Sequence, residues 1–462
     1  MAPSIFGGYD VRGIYPSELD ESACLRLGAA FGQYLKQKSI DSCIVGHDNR
    51  ESSESLARNF IEGLSKYAGV QVTDIGLAPT STLCFALHNA AMCGGASITA
   101  SHNPIQYNGV KFYGRHALPL FSDDLARVRK TFENGELGAA QAGAKVARAQ
   151  FCDRHAEFAA SKHKLARKLR VVADCGNSVC ALVGPRMLRL LGCDVVELFC
   201  DLDGRYPNHL PDPHKRENYA KLSEKVVASG ADLGVMFDGD GDRAGFVDEH
   251  GRIVDGDFVH IMLIRDLLQR KAGAQVVLDL RLSRAVFEDA AARGAKVTMS
   301  KAGRTAIHEE MDRLSADYGG EVTGHMSFEE NGGNDDAFYA TAKVMQVLSH
   351  SQKPLSHVIS ELPRYVSLPE MRIACPNERK FAVVEDVKRA LWKDYKVNAL
   401  DGVRVDFEKS WGLLRVSNTE PQITLRFEGE TQAELEKVYD IFSRELSKNG
   451  IELPKLPQPE VI

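Results

Sequence analysis

One local plan occurs three times in this sequence, and it restricts the fold more than any other feature. Cys43-Ile44-Val45-Gly46-His47-Asp48 ends an apolar run on an aspartate, then reaches Ser52 and a helical stretch. Val171-Val172-Ala173-Asp174 does the same and reaches Ser178, and Val276-Val277-Leu278-Asp279 repeats it and reaches Ser283. Each reads as a short strand, a polar loop with an N-cap residue and an amphipathic helix. Each helix then closes on a glycine before a new strand, at Gly69-Val70, Gly192-Cys193 and Gly294-Ala295, where glycine suits the left-handed position past a helix end. The three aspartates lie more than 100 residues apart, which is domain spacing rather than solenoid spacing. Strand–helix–strand order repeated this way predicts parallel or mixed sheets covered by helices.

After Leu362-Pro363-Arg364 the pattern changes. Short strands are predicted around Met371–Ala374, Val403–Phe407, Gly412–Val416 and Gln422–Phe427, with helices near Phe381–Tyr395 and Gln432–Lys448. This is the order of a smaller α+β domain. Linkers near 145, 248 and 363 divide the chain into three α/β domains, 1–145, 146–247 and 248–362, and an α+β domain, 363–462. A length of 462 residues fits that number of domains.

Composition narrows the function. With 44% hydrophobic and 26% charged residues the chain is an ordinary globular protein. A net charge of −6 without a lysine- or arginine-rich run gives no footprint for nucleic acid. No apolar stretch approaches the ~18 residues of a membrane span, and the N-terminus lacks the basic and apolar regions of a signal peptide. The ten cysteines are scattered and form no Cys-x-x-Cys pair, which predicts reduced thiols in a cytoplasmic protein. An acidic chain that binds an anionic substrate has to concentrate its positive charge in particular loops.

Four loops carry candidate chemistry. The first, Thr99-Ala100-Ser101-His102-Asn103-Pro104, lies between two apolar runs, so the Ser101 hydroxyl can project into a cleft, with Lys111 as a charge partner. No Gly-x-Ser-x-Gly elbow surrounds it, and His102, a sequence neighbour, is not expected to face Ser101. In the second, Asp238-Gly239-Asp240-Gly241-Asp242-Arg243, three carboxylates alternate with glycines and can converge on Mg²⁺ or Ca²⁺. An EF-hand is its rival, because Glu249 stands at the twelfth position of such a loop. Arg243, however, stands where that loop needs glycine, and the flanks read as strands. In the third, Gly319–His325, an extended backbone would turn Glu321, Thr323 and His325 to one side as a grip on sugar hydroxyls, with a polar turn as the equal alternative. In the fourth, Arg415-Val416-Ser417-Asn418-Thr419-Glu420-Pro421, forked donors and hydroxyls suit a phosphate.

Together these loops resemble the α-D-phosphohexomutase superfamily, in its phosphomannomutase/phosphoglucomutase branch. The resemblance runs from Phe6-Gly7-Gly8-Tyr9-Asp10-Val11-Arg12-Gly13 to the Arg415 loop. It implies four domains around a central cleft, the first three built alike. It also implies that Ser101 is a phosphoserine, and that Asp238, Asp240 and Asp242 bind Mg²⁺ together with its phosphate. Glu321 and Thr323 would contact sugar hydroxyls, and Arg415, Ser417, Asn418 and Thr419 would hold the phosphate that is not transferred. Tyr9, Arg12, Lys111, Arg243, Lys301 and His325 would line the cleft. Thr323, Arg304 and His47 depart from the residues common in the family, which are serine, histidine and arginine; Arg304 bears on substrate preference.

The implied reaction is interconversion of hexose 1-phosphate and hexose 6-phosphate through a hexose 1,6-bisphosphate. Arg12 and Lys111 are candidates for charge stabilisation and proton transfer, with His325 as an alternative base. A phosphoglucosamine mutase is the nearest alternative, ahead of a metal-dependent phosphatase and a non-catalytic sugar-phosphate sensor. The expected partner is a small phosphosugar, with no nucleic acid and no membrane, and the expected state is a monomer or weak dimer.

Overall fold

The computed structural model describes residues 5–8, 10–90, 93–135, 137, 139–140, 144–417, 421–456 and 460–461. Contacts divide the chain into two compact units. The first comprises Met1–Gly256, Met311–Gly319 and Thr323–Ser360; the second comprises Asp257–Glu310, Gly320–Val322 and Glu361–Ile462. Among the described residues no helix is long and apolar enough to cross a membrane.

In the first unit, β1 (Val11–Ile14), β2 (Ser42–His47), β3 (Gln71–Leu77), β4 (Gly94–Ile98), β5 (Tyr107–Tyr113) and β6 (Val146–Arg148) form a mixed sheet in the order β1-β5-β4-β2-β3-β6. Strand β2 runs parallel to β3 and β4, with helices Ser53–Glu62 and Thr80–His88 as crossovers, and β5 returns antiparallel to β4. The aromatic centre of this core is Phe31, whose ring lies 4.8 Å from Phe112 and 6.2 Å from Phe60. Burying each ring contributes about 1.5–3 kcal/mol.

A second sheet in the same unit repeats the plan. Strands β7 (Arg170–Asp174), β8 (Asp194–Leu198), β9 (Leu233–Phe237), β10 (Ala244–Asp248) and β11 (Ile253–Val254) are ordered β11-β10-β9-β7-β8. Strand β7 is parallel to β8 and β9, and β10 is antiparallel to β9. Thus β2, β3, β4 and β5 correspond to β7, β8, β9 and β10. In the second unit β12 (Gln275–Asp279) and β13 (Lys296–Ser300) pair in parallel around helix Arg284–Ala292, the third copy of the motif. Strands β14 (Tyr318–Gly320) and β15 (Met326–Phe328) then bracket the third loop in the chain. The tail of the second unit is an antiparallel sheet of Met371–Ala374, Val403–Asp406, Ser410–Val416 and Gln422–Gly429. Helices Asn377–Leu391 and Gln432–Ser447 pack on it through Val387, Val438 and Phe442.

The repeated aspartates share one geometry. Each buried carboxylate accepts a hydrogen bond from the backbone N–H two residues on, at Arg50 (3.1 Å), Gly176 (2.9 Å) and Arg281 (2.9 Å). Such a turn ends the strand and aims the chain into the next helix. A base then closes each one: Arg50 at 3.2 Å, His209 at 3.0 Å and Arg281 at 2.6 Å. Ser178 and Ser283 cap the following turns as expected, through the backbone N–H of Cys180 and Ala285. Ser52 does not, because its backbone is helical (φ −85°, ψ −15°), whereas a capping residue is normally extended. Its neighbour Ser53 donates to Asp48 instead.

Candidate active site

Ser101 stands in the loop between β4 and β5, wholly buried, with φ at +51°. The left-handed backbone costs a residue with a side chain roughly 1–2 kcal/mol. Its Oγ donates to Asp238 Oδ2 at 2.7 Å, and His102 Nδ1 lies 3.2 Å from the same Oγ. The expectation that these sequence neighbours would not face each other is therefore overturned: the left-handed turn brings both side chains together. Because the Ser101 hydrogen goes to Asp238, His102 Nδ1 is the donor of the second pair. Burial, followed by the nearby charges of Arg243, Arg12 and Lys111, holds His102 well below the usual imidazole range. Arg12 binds the loop at the Ala100 carbonyl (3.1 Å) and Asn103 Oδ1 (2.5 Å), and pairs with Asp10.

The second loop joins β9 to β10, the place that corresponds to the Ser101 loop in the first sheet. Asp238 Oδ1 accepts the backbone N–H groups of Gly241, Asp242 and Arg243 at 2.9–3.2 Å. Lys111 Nζ reaches Asp240 Oδ2 and Asp242 Oδ2, each at 2.6 Å, and Thr80 donates to Asp240 Oδ2 at 2.6 Å. One ligand oxygen from each of Asp238, Asp240 and Asp242 lies within 4.8 Å of the others. The loop touches the first one closely. A Cβ on Gly239 would stand 2.3 Å from the Ser101 carbonyl oxygen, so only glycine fits there without movement.

These three carboxylates fit a hard divalent cation. Burial, then Asp242 and Asp240, push the Asp238 carboxyl well above the usual range. At Asp240 burial and Asp242 push the same way, but Lys111 and Thr80 outweigh them and hold it below. Asp240 Oδ1 is buried without a hydrogen-bond partner. Oxygen-only donors with a spare lone pair suit Mg²⁺ rather than zinc. The EF-hand alternative is excluded by the antiparallel strands on either side, and by Glu249, which accepts from Ser356 N at 3.1 Å.

The third loop differs from its expected form. Residues 322–324 make a turn, with Gly324 at φ +90°, so Glu321, Thr323 and His325 do not alternate along an extended chain. Glu321, in the second unit, accepts from Arg281 at 2.7 Å, and its carbonyl oxygen pairs with His260 at 3.0 Å. His325, in the first unit, pairs with Arg243: Arg243 Nε donates to His325 Nε2 at 2.8 Å, which leaves the ring proton on Nδ1. That Nδ1 lies 3.1 Å from the Asp242 carbonyl oxygen and 3.3 Å from Asp335. The Thr323 hydroxyl is buried without a hydrogen-bond partner.

The second unit gathers cations at the fourth loop. Asp401 Oδ2 accepts from Arg415 Nε at 3.1 Å and from Ala302 N at 3.4 Å. The segment from exposed Lys301 to half-buried Arg304 is thereby tied to the Arg415 strand. Buried Lys380 donates to the Ser417 carbonyl oxygen at 2.7 Å. Tyr9, Asn418 and Thr419, also named from the sequence, lie outside the described residues. Reasoning from sequence missed Arg281, Lys380 and Asp401, whose partners Glu321, the Ser417 carbonyl and Arg415 are brought to them by the fold.

Comparison with known proteins defines the class. Phosphoglucomutase/phosphomannomutase α/β/α domains I, II and III match residues 3–139, 149–251 and 255–365, and the C-terminal domain of the same family matches 370–444. The chain belongs to the phosphoglucomutase/phosphomannomutase family. It is 36% identical to a phosphomannomutase/phosphoglucomutase of Pseudomonas aeruginosa, over 98% of each chain. It is 33% identical to a phosphoglucomutase of Neisseria gonorrhoeae, over 96% of this chain and 97% of that one. A crystal structure of a phosphoglucomutase/phosphomannomutase family protein from Burkholderia thailandensis matches with a TM-score of 0.91 at 31% identity, over 97% and 99% of the two chains. Similarity of this extent makes the protein a phosphohexose mutase, an intramolecular phosphotransferase.

Proposed function

We propose that the protein interconverts the 1- and 6-phosphates of glucose and mannose, with Ser101 as the phosphoryl carrier. The observation that carries this reading is the buried Ser101 hydroxyl 2.7 Å from Asp238 in a three-aspartate loop. Phospho-Ser101 gives its phosphoryl group to the free hydroxyl of a bound hexose phosphate. The resulting 1,6-bisphosphate reorients, and its other phosphoryl group returns to Ser101. Asp238, Asp240 and Asp242 would hold Mg²⁺, which supplies charge neutralisation for the serine phosphate.

The protein's own groups do the rest. Lys111 and Arg12 stabilise the phosphoryl oxygens during in-line transfer, and Lys111, in its neutral form, takes the proton that the attacking sugar hydroxyl gives up. His102 Nδ1–H points at Ser101 Oγ, where a proton is needed when the phosphoryl group leaves. With its Nε2 lone pair engaged by Arg243, His325 positions that arginine rather than serving as the base. Arg243 and Tyr9 serve substrate binding, and Glu321 and Thr323 meet sugar hydroxyls. Arg415, Ser417, Asn418 and Thr419, with Lys301 and Arg304, hold the spectator phosphate. The bisphosphate doubles as activator, because it rephosphorylates Ser101. Ten cysteines in no disulfide suit work in the cytoplasm; the reading also takes the protein as a monomer or weak dimer without nucleic acid or membrane partners.

Steady-state kinetics with three sugars test the reading. Glucose and mannose differ only at C2, and both should be accepted with kcat/KM within about tenfold, some 1.4 kcal/mol. Arg304 disfavours a cationic amino sugar, so glucosamine 6-phosphate should be poorest. A clear preference for it would instead establish the phosphoglucosamine mutase reading. Ser101→Ala should lose turnover by about a thousandfold or more, about 4 kcal/mol, together with the phosphate-sized mass on the intact protein. Substantial conversion by the variant would remove Ser101 from the role.

A further inference from the structure

Ser101 holds an unfavourable left-handed backbone, and such a backbone persists only where its surroundings over-determine it. Two side chains do this, Thr99 of its own loop and Arg50 from outside it. The Ser101 N–H donates to Thr99 Oγ1 at 2.8 Å, and Thr99 donates in turn to Asp48 Oδ2 at 2.7 Å. The Ser101 carbonyl oxygen accepts from Arg50 Nη2 at 2.7 Å. Both polar backbone atoms of the serine are thus fixed by one network that starts at the first repeated aspartate.

Arg50 is fully used in that network. A guanidinium has five N–H donors in a rigid plane, and each has an acceptor here. Nε donates to Asp48 at 3.2 Å, and Nη2 donates to the carbonyls of Ser101 and Asn103, both at 2.7 Å. Nη1 donates to the carbonyls of Pro104 at 2.9 Å and Tyr107 at 3.0 Å. Four carbonyls spread along a single loop cannot all be met by a lysine, whose three donors share one nitrogen. The face of the guanidinium is closed as well, by the Tyr206 ring 5.3 Å from Cζ.

We propose that Arg50, oriented by Asp48, is a positioning residue for phosphoryl transfer: it fixes the Ser101 backbone in the conformation that aims Oγ at Asp238. The inference rests on Ser101 being the carrier. Arg50 touches no reacting atom; it acts through the direction of the Ser101 side chain, and displacement of a reacting group by about 1 Å can cost a hundredfold in rate.

The test compares Arg50→Lys, Thr99→Val and Thr99→Ser with wild type, measuring kcat and KM for glucose 1-phosphate, thermal midpoint, and the single-turnover rate from phospho-Ser101. Arg50→Lys should lower kcat and the single-turnover rate about a hundredfold, with KM within about twofold. Thr99→Val should lose rate in the same two readouts, and Thr99→Ser, which keeps the hydroxyl, should restore most of it. Wild-type kcat in folded Arg50→Lys overturns the proposal, as does a loss confined to KM or to the thermal midpoint. Should Arg50→Lys fail to fold, the Thr99 pair decides: equal rates for Val and Ser overturn it. Turnover by Ser101→Ala would sink the carrier reading itself, whereas an inactive Ser101→Ala beside fully active brace variants would sink this inference alone.

Discussion

The Ser101 loop and the Asp238–Asp242 loop occupy the same topological place in two copies of one sheet, and their chemistry is opposite. Each follows the strand next to the central parallel one and returns antiparallel, as β4 to β5 and as β9 to β10. The first presents a single serine hydroxyl on a strained backbone. The second presents three acids on a backbone relieved by glycine, with Gly241 at φ +75°. The repeated scaffold thus supplies direction, and the loop sequence supplies reactivity. Placing both loops in one unit lets a carboxylate of one copy accept the hydroxyl of the other without any closure.

The sharpest way to break this pairing is at its acids. Asp240→Asn removes one anionic oxygen donor and weakens the grip of Lys111, so metal affinity and turnover should fall together, turnover by roughly 500-fold or about 3.7 kcal/mol. Chelation of the wild type should reproduce the defect and added Mg²⁺ should reverse it; full activity after exhaustive chelation would refute the metal reading. Gly239→Ala tests the contact between the loops without touching a donor. Its Cβ would meet the Ser101 carbonyl oxygen at 2.3 Å, so the two loops must separate. A loss of about a hundredfold in kcat is expected, with metal affinity retained in a calorimetric titration.

Much of this arrangement is legible in the sequence, and the remainder has a physical reason for being hidden. Asp48, Asp174 and Asp279 mark strand ends because a carboxylate that bonds the backbone two residues on is a local device. The three acids of the second loop are likewise close in sequence as well as in space. What closes each aspartate is not so uniform: Arg50 and Arg281 lie two residues away, but His209 comes from 35 residues downstream. The Glu321–His325 segment misleads for another reason. A two-residue alternation reads as extended chain, but Gly324 adopts a left-handed backbone and makes a turn.

The second unit offers a contrast to these buried loops, because its candidate phosphate donor Arg415 is already paired with acid. Arg415 and the Ala302 N–H share Asp401. Arg415→Ala should raise KM with a cost of about 1.5–3 kcal/mol for a lost charge-assisted contact. A clamp on the spectator phosphate serves both half-reactions, so glucose 1-phosphate and glucose 6-phosphate should suffer alike. Initial rates in both directions check this, and a strong effect on one isomer alone would contradict the clamp.

The smallest effect concerns the two repeated aspartates of the first unit, which differ in the base that closes them. Asp48 faces a guanidinium that stays charged at every accessible pH, whereas Asp174 faces the imidazole of His209 at 3.0 Å. Burial favours the neutral ring, but the hydrogen bond and charge of Asp174 outweigh it, so the His209 pKa is raised above 6.5 in the folded state. A raised pKa means that the folded protein holds the proton more tightly than the unfolded chain does. The pair's stabilisation is therefore complete below the unfolded value near 6.5 and is lost as pH rises through the higher folded value. His209→Gln keeps a neutral donor and removes the titration. The wild type should exceed this variant by about 1 kcal/mol at pH 5.5, seen as a higher thermal midpoint, and the margin should shrink as pH passes from 6.5 into the alkaline range. Turnover at fixed pH should change little, since His209 serves the turn of the second repeat and not the loop that carries its acids. A margin that grows with pH would reverse the sign and show that burial, not Asp174, governs the ring.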